Sequence, residues 1–534
     1  MDARRDAPLP AGPLMPERMR LNEENRKWWT LAAMCFALFM IMLDNTVVNV
    51  ALPSIQKDFG ASLSALEWTL NAYTLTFAVL LVTGGRLGDL FGRRRVFLCG
   101  VVLFALASAT IGLAPSDNWL IASRAVQGVG AALMMPGSLS ILTNAFPPAE
   151  RGKAIGTWAG VSALALAVGP LVGGWLTEEV SWRAIFLLNL PVAAGAVAMT
   201  LFAADESRDE TAERKLDIPG IGALTVSLTA LVLALVEGNS WGWGSAGVLG
   251  LLALAVGSGI AFVVIEKRAR VPIVDFAFFR SRTFVGANIV AFAVSFAMFA
   301  MFFFIALYMQ NILGYSPLEA GVRFLPSTLV IMVAGPIAGR LADRIGARPL
   351  MVAGLLTTSV ALFWQSRIDE GSGYGTLWPG FVLMGLGMGL IMSPMSMAAM
   401  NAVDRSKVGV ASGTLSMFRM VGGTFGVAAL GALVAAVGRN DLEQALPQLT
   451  GPAQDRVVEG LGSAAALEGA PQELVNAAHA AFVDALSLGL TVASAATLAA
   501  AVVAWFLIAP KPDAPAPQRP EPEPAHEALA EAVA

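Results

Sequence analysis

The chain has 534 residues, 56% of them hydrophobic and only 14% charged, with a formal net charge of −4. A soluble domain carries about 25% charged residues, so this composition and a mean hydropathy of +0.66 place the chain in a membrane and exclude an ordinary soluble enzyme. Nothing in the charge suggests the basic surface that nucleic-acid binding needs.

Residues 1–28 are polar and hold six Lys or Arg. The apolar run that follows is too long for a signal-peptide core and has no small-residue cleavage site, so it reads as a retained anchor. Runs of about 20 apolar residues with few charges span a bilayer. Fourteen are expected, at 29–53, 66–85, 96–114, 119–145, 154–176, 184–204, 219–238, 246–265, 284–311, 318–339, 350–366, 376–400, 409–436 and 481–509. Most of the 35 Lys and Arg then fall on one side, which the positive-inside rule makes cytoplasmic together with both termini. Cys35 and Cys99 lie inside apolar runs, which argues against a disulfide framework.

The first span ends in "MLDNTVVNVALP" (42–53), which puts Asp44, Asn45, Thr46 and Asn49 in an apolar setting. A charge within a span is costly and is normally aimed at the protein interior or a wet cavity. Arg124 in the fourth span lies about 8 Å from the external end, and Asp44 about 13 Å, at 1.5 Å per residue. The two are candidates for similar depth. Asp44 is the one acid read as well inside a span and hence the candidate proton site; Asn45, Thr46 and Asn49 are its expected polar surroundings or the wall of a wet cavity. With Gln127 and Arg419 they make up the candidate substrate-cavity residues. Arg419 lies about ten residues into its span, too deep to reach the surface easily, and is expected to face a cavity or a partner.

The loop "GRLGDLFG" (85–92) returns as "GRLADRIG" (339–346). Gly85, Asp89 and Gly92 thus correspond to Gly339, Asp343 and Gly346, with Arg93 following the first copy. Glycines permit tight turns and close helix approach, and an acid at such a loop can meet an arginine or a helix N-terminus. The two copies lie eight spans apart, and both loops are cytoplasmic. Two six-span halves would put them six apart, so an inserted pair accounts for the difference. Parallel six-span repeats mark a large transporter architecture. The expected organisation is an all-α polytopic membrane protein of two six-helix bundles. A cytoplasmic segment (1–28) precedes the first bundle (29–204). A linker (205–283) carries the inserted pair (about 219–238 and 246–265), and the second bundle (284–509) has an external loop at about 437–480. A Pro-rich cytoplasmic tail (510–534) is expected to be disordered.

Span 5, "GTWAGVSALALAVGPLVGGWL", has a small face with Gly169, Gly173 and Gly174, and Pro170 favours a kink. The Met- and Phe-rich spans 9 and 12 read mostly as lipid contact or packing, with an adaptable apolar cavity as the alternative. No GxxxxGK[ST] occurs, which excludes a P-loop ATPase in this chain, and no spacing suggests a metal or cofactor site. Uphill transport would draw on an ion gradient.

Together these stretches resemble the major facilitator superfamily over 29–509, and within it the fourteen-span drug:proton antiporters. The resemblance is carried by "LDNTVVNVALP", "GGRLGDLFGRRRV", "RAVQGVGAA", "AVGPLVGG" and "SWRAIFLLNLPV". Ala165 departs from it, standing where the antiporter motif usually starts with glycine. The resemblance implies alternating access and export of hydrophobic or cationic compounds in exchange for protons. It implies Asp44 as the protonatable site, with Arg124 assisting transfer or holding a carboxylate. Asp89 and Arg93 would latch the halves in the outward-facing state, and Gly169 and Pro170 would form a pliable interface controlling leak and exchange. The expected partners are a small molecule, protons and the lipid bilayer, and the expected state is a monomer in the cytoplasmic membrane, with neither enzymatic activity nor nucleic acid. Two alternatives stand beside this: a dedicated exporter of one endogenous metabolite, lipid or siderophore, and a non-transporting receptor or scaffold.

Overall fold

A computed structural model describes residues 23–510, except 148–149, 209–216, 270–271, 273, 275, 370, 404–407, 449–453, 455–456, 459–460 and 462–469. The tail beyond Pro510 and the first 22 residues therefore lie outside it. The described residues are helical throughout, with no strand. In chain order the N-terminal half comprises α1 (Glu23–Phe59), α2 (Leu63–Phe91), α3 (Arg93–Gly112), α4 (Asp117–Ala145), α5 (Arg151–Glu179) and the pair α6 (Trp182–Leu187) and α7 (Asn189–Ala203). Next come α8 (Ile218–Trp241) and α9 (Ala246–Arg268), where the inserted pair is expected. The C-terminal half comprises α10 (Arg282–Leu307), α11 (Pro317–Ile345), α12 (Ala347–Gln365), α13 (Tyr374–Asn401), α14 (Val408–Ala445) and α15 (Gln472–Leu507).

Thirteen of these stretches are long and apolar enough to cross a membrane, with α6 and α7 counted together. The 29-residue α5, expected as a span from the sequence, matches them in length. The helices overrun the apolar runs at both ends: α1 extends to Phe59 and α14 to Ala445, and α15 already begins at Gln472, so both α14 and α15 reach into the stretch expected as a loop at 437–480. The break between α6 and α7 follows from Pro191. Its missing N–H leaves the carbonyl four residues back without its helical donor, and the chain turns there to present Asn189.

The repeat is visible in the backbone. Gly92 and Gly346 have φ of +108° and +86°, and Gly60 and Gly314 have +63° and +68°. Each pair is 254 positions apart (92 and 346, 60 and 314). Serines at the same spacing, Ser62 and Ser316, cap α2 and α11 by accepting from Ala65 N and Glu319 N. Matching turns therefore start and end matching helices. The face holding the start of α1, the α2–α3 turn and the end of α15 is termed here the terminal face, and the opposite one the far face.

At the far face the halves are joined. Gln310 Nε2, in the π-helical end of the α10 crossing (Tyr308–Ile312), donates to Val50 O at 2.9 Å. Leu318 N, in the first turn of α11, donates to Glu178 Oε2 of α5 at 3.0 Å. Gly321 of α11 lies so close on Pro170 of α5 that an added Cβ would overlap the Pro170 carbonyl. Towards the terminal face Gly160 of α5 and Gly335 of α11 meet nothing within 4 Å. Among the phenylalanines and methionines of α10, Met301, Phe303 and Phe304 are fully buried, whereas Phe292, Phe296, Met298 and Phe299 are partly buried.

Candidate functional site: a buried carboxylate cluster

Arg124 of α4 is the partner of Asp44. Its Nη1 donates to Asp44 Oδ2, and the two side chains are 1% and 0% exposed. Burying two charges costs several kcal/mol per ion unless the remaining donors and acceptors are met. Here they are met from all sides. Gln127 Nε2 donates to Asp44 Oδ1 at 2.9 Å, and Asn189 Nδ2 reaches the same oxygen at 3.4 Å. Arg124 Nε donates to the Thr69 carbonyl of α2 at 3.0 Å and Nη1 to Gln127 Oε1 at 2.6 Å. Ser108 Oγ of α3 accepts from Gln127 and Asn189 at 2.8 and 3.2 Å. The guanidinium also lies over the Tyr73 ring, 4.3 Å from its centroid, a favourable face for a cation. One cluster thus ties α1, α2, α3, α4 and α7 together.

The local sequence explains the fit. Gly128 and Gly130 let α4 sit against α2 and α3: a Cβ at Gly128 would overlap Thr76 Oγ1, and one at Gly130 would lie 2.7 Å from Phe104 N. Snorkelling of Arg124 to the surface is ruled out by its 0% exposure. The expected neighbours of Asp44 differ, however. Asn45 Nδ2 donates to Ile41 O, Asn49 Nδ2 to Asn45 O, and Thr46 Oγ1 to Leu43 O. These side chains bond back to their own helix, as Asn and Thr do at i−3 and i−4, and none is bonded to Asp44. Gln127, grouped with the cavity candidates, is fully buried inside the cluster. Sequence reasoning missed Asn189 and Ser108. Asn189 carried a signal, a lone amide in the apolar stretch "FLLNLPV"; Ser108 carried none.

In the α2–α3 turn, Arg93 Nε and Nη2 donate to Asp89 Oδ1 at 3.0 and 2.9 Å. Glu206 Oε1 and Oε2 accept from Arg94 N and Arg95 N at 3.0 and 3.2 Å, holding the start of α3 from the segment after α7. All of these contacts stay within the N-terminal half. Gly85 lies against Pro136 of α4, and Gly339 takes the matching place beside Ser393 of α13. The Asp343 side chain falls outside the described residues. Gly169 and Gly173 lie against Thr46 and Val47 of α1, while Gly174 meets Pro317 and Leu318 of α11. The span-5 motif is therefore the joint where α1, α5 and α11 meet. Arg419 is half-buried on α14, and its Nε is buried without a hydrogen-bond partner. No ion pair reaches it among the described residues.

Chemically, Arg124 offers a planar fork of donors, and the Asp44 carboxylate accepts from three donors on two other crossings, so the pair is linked to how the bundle packs.

The sequence model of the Major Facilitator Superfamily matches residues 34–427. The tetracenomycin C resistance and export protein of Streptomyces glaucescens is 37% identical over 502 residues, covering 91% of this chain and 93% of that protein. Multidrug resistance protein Stp of Mycobacterium tuberculosis is 38% identical over 408 residues, 76% of each chain. The puromycin resistance protein pur8 of Streptomyces alboniger is 40% identical over 410 residues, 76% of this chain and 81% of its own. In fold, the chain is similar to a solved bacterial homologue of the human lysosomal transporter Spinster, with a TM-score of 0.59 at 17% identity, covering 92% of this chain and 99% of the other. The repeated halves, the turns they share and these likenesses agree: the chain belongs to the major facilitator superfamily of membrane transporters.

Proposed function

We propose that the chain exports hydrophobic or cationic antibiotics and drugs across the cytoplasmic membrane in exchange for protons, by alternating access. The terminal face is then cytoplasmic and the far face external, and the joined far face makes this the inward-facing state. The observation that carries the reading is the buried Asp44–Arg124 pair, satisfied from five crossings. A charge pair inside a membrane bundle is expensive and usually marks a proton or ion pathway. Asp44 is the proton carrier and Arg124 the cation paired with it. Arg419, half-buried and without a described anionic partner, is proposed to face the pathway and weights the cargo towards apolar over cationic compounds. The cofactor reading is a proton gradient and no bound group.

The relative that spans nearly the whole chain is named for resistance to and export of one antibiotic, which favours a second reading, a dedicated exporter of one endogenous compound. The test is transport by the full chain in everted vesicles under an imposed pH gradient, across a panel of antibiotics. Exchange of many compounds supports the broad reading, and exchange of one supports the dedicated reading. In either case Asp44→Asn is expected to abolish substrate-induced proton release; unchanged release overturns the proton assignment.

A further inference from the structure

The N-terminal half holds a second acid in its interior that the carboxylate cluster does not use. Glu67 lies one turn into α2 at the far face, is 2% exposed, and is not ion-paired or hydrogen-bonded among the described residues. Its carboxyl sits on the backbone of α14 in the opposite half, where a Cβ at Gly431 would overlap Oε1. Two turns along the same face, Thr74 and Thr424 share a hydrogen bond of 2.7 Å across the same seam. Asn71 lies between them at i+4 from Glu67, fully buried with both side-chain polar atoms unpartnered. Its amide offers a donor and an acceptor, and so suits a carboxyl in either charge state.

The inserted pair covers this seam. Val232 and Val236 of α8 pack with Ala428 of α14 and Trp68 of α2. Glu237 of α8 accepts from Ser64 Oγ at 2.8 Å and lies within electrostatic range of Glu67. Other charges near α2 are committed elsewhere: Arg124 of α4 to Asp44, and Asp58 of α1 to Arg183. α14 has no charged residue between Arg419 and Arg439, and α3 none between Arg95 and its end at Gly112. The position 254 residues on from Glu67 is Gly321, which packs α11 tightly on α5 in the other seam. Close packing at this place in the fold is thus met by a glycine, and an acid there is not demanded by the helix contact.

We propose that Glu67 is a second proton-binding residue, the gate acid of the α2–α14 seam. It carries a proton while the far face is closed and releases it to external water when α2 parts from α14, with Glu237 of the inserted pair favouring retention of the proton. This extends the proton-exchange reading, on which it rests for its place in the cycle. The chemistry is an O–H bond broken and a carboxylate left on Glu67, with the proton going to water. A lone carboxylate buried against a backbone is unfavourable, so closure selects the neutral form and ionisation favours opening. Arg124 holds the Thr69 carbonyl two residues along α2, so movement of α2 reaches both acids.

The experiment uses the full chain in proteoliposomes, with Cys35 and Cys99 replaced. Spin labels at Leu113 and Gly371 report the far-face distance between the halves as pH is varied. The expected result is a distance that lengthens as pH rises, and one that stays short at every pH in Glu67→Gln. Glu237→Gln is expected to move the midpoint to lower pH. An unchanged pH profile in Glu67→Gln, or no pH dependence in the parent protein, overturns the proposal. Should Glu67→Gln fail to fold, Glu67→Asp is expected to keep opening with a displaced midpoint, and an undisplaced one overturns it equally. If proton exchange proves absent in the parent while opening still depends on Glu67, the antiport reading fails and the gate stands.

Discussion

Arg124 makes contacts of four kinds with one side chain: a carboxylate, a side-chain amide oxygen, a backbone carbonyl and a ring face. No other residue type can supply that planar fork. Arg124→Ala is expected to leave Asp44 buried and unpaired, at a cost of about 3–5 kcal/mol, read as a fall in melting temperature in detergent with loss of exchange. Arg124→Lys keeps the charge but lacks the second donor arm, so stability should fall less while exchange stays impaired. Melting and transport that both match the parent would show the pair to be dispensable. That Asp44 and Arg124 could stand at one level was legible in the sequence because counting from helix ends needs only the rise per residue. The rest of the cluster was not. Which way Asn45, Asn49 and Gln127 turn depends on the angle at which α1 and α4 meet, and no spacing encodes that angle. Glu67 was readable as an acid near a span end, yet its burial arises from α14, some 360 residues on (67 and 431), and from α8 lying over the seam.

Among the helices, glycines sort by what stands opposite them. In α11, Gly321 has the Pro170 carbonyl within overlap distance, whereas Gly160 of α5 faces open space. Gly321→Ala must therefore push α11 from α5 at the far face, with an expected loss of about 1–3 kcal/mol and weaker far-face closure. Gly160→Ala is expected to be neutral or to stabilise by up to about 1 kcal/mol through helix propensity. Melting of the two variants side by side checks the contrast, and equal effects would contradict the described joint. Most of the fold at this scale could be read in advance. The apolar runs fixed the number and order of crossings, and the repeated loop gave the halves. Glycine content alone did not separate the joint of α5 from its free face, because "AVGPLVGG" carries no mark of which helix each glycine meets. That partition, Gly169 and Gly173 to α1 and Gly174 to α11, comes from the way two halves dock.

For the molecule as a whole, the contacts described between α5 and α11 lie at the far face, while Asp89 is bonded by Arg93 of its own half. In this far-closed state the ion pair of Asp89, the latch acid expected from the resemblance, stays within the N-terminal half. Asp89 is held by Arg93 at i+4, a partly exposed pair that contributes little by itself. If Asp89 reaches the opposite half only when the terminal face closes, its loss should penalise that state alone. Asp89→Asn is expected to shift the population further towards the far-closed state. A differential of about 1.4 kcal/mol corresponds to a tenfold change. The same labels at Leu113 and Gly371 would report a larger short-distance fraction at fixed pH, and substrate efflux would slow without loss of melting temperature. A population that does not move would place the latch elsewhere on the terminal face, for instance on the Glu206 contacts that hold the start of α3. The two ends then act as opposed elements of one balance. Glu178, Gln310 and the Gly321–Pro170 contact hold the far face, and the Asp89 turn would hold the terminal one. A transporter that alternates needs neither set to dominate, so weakening Glu178 by Glu178→Gln in the Asp89→Asn background should move the distribution back towards that of the parent.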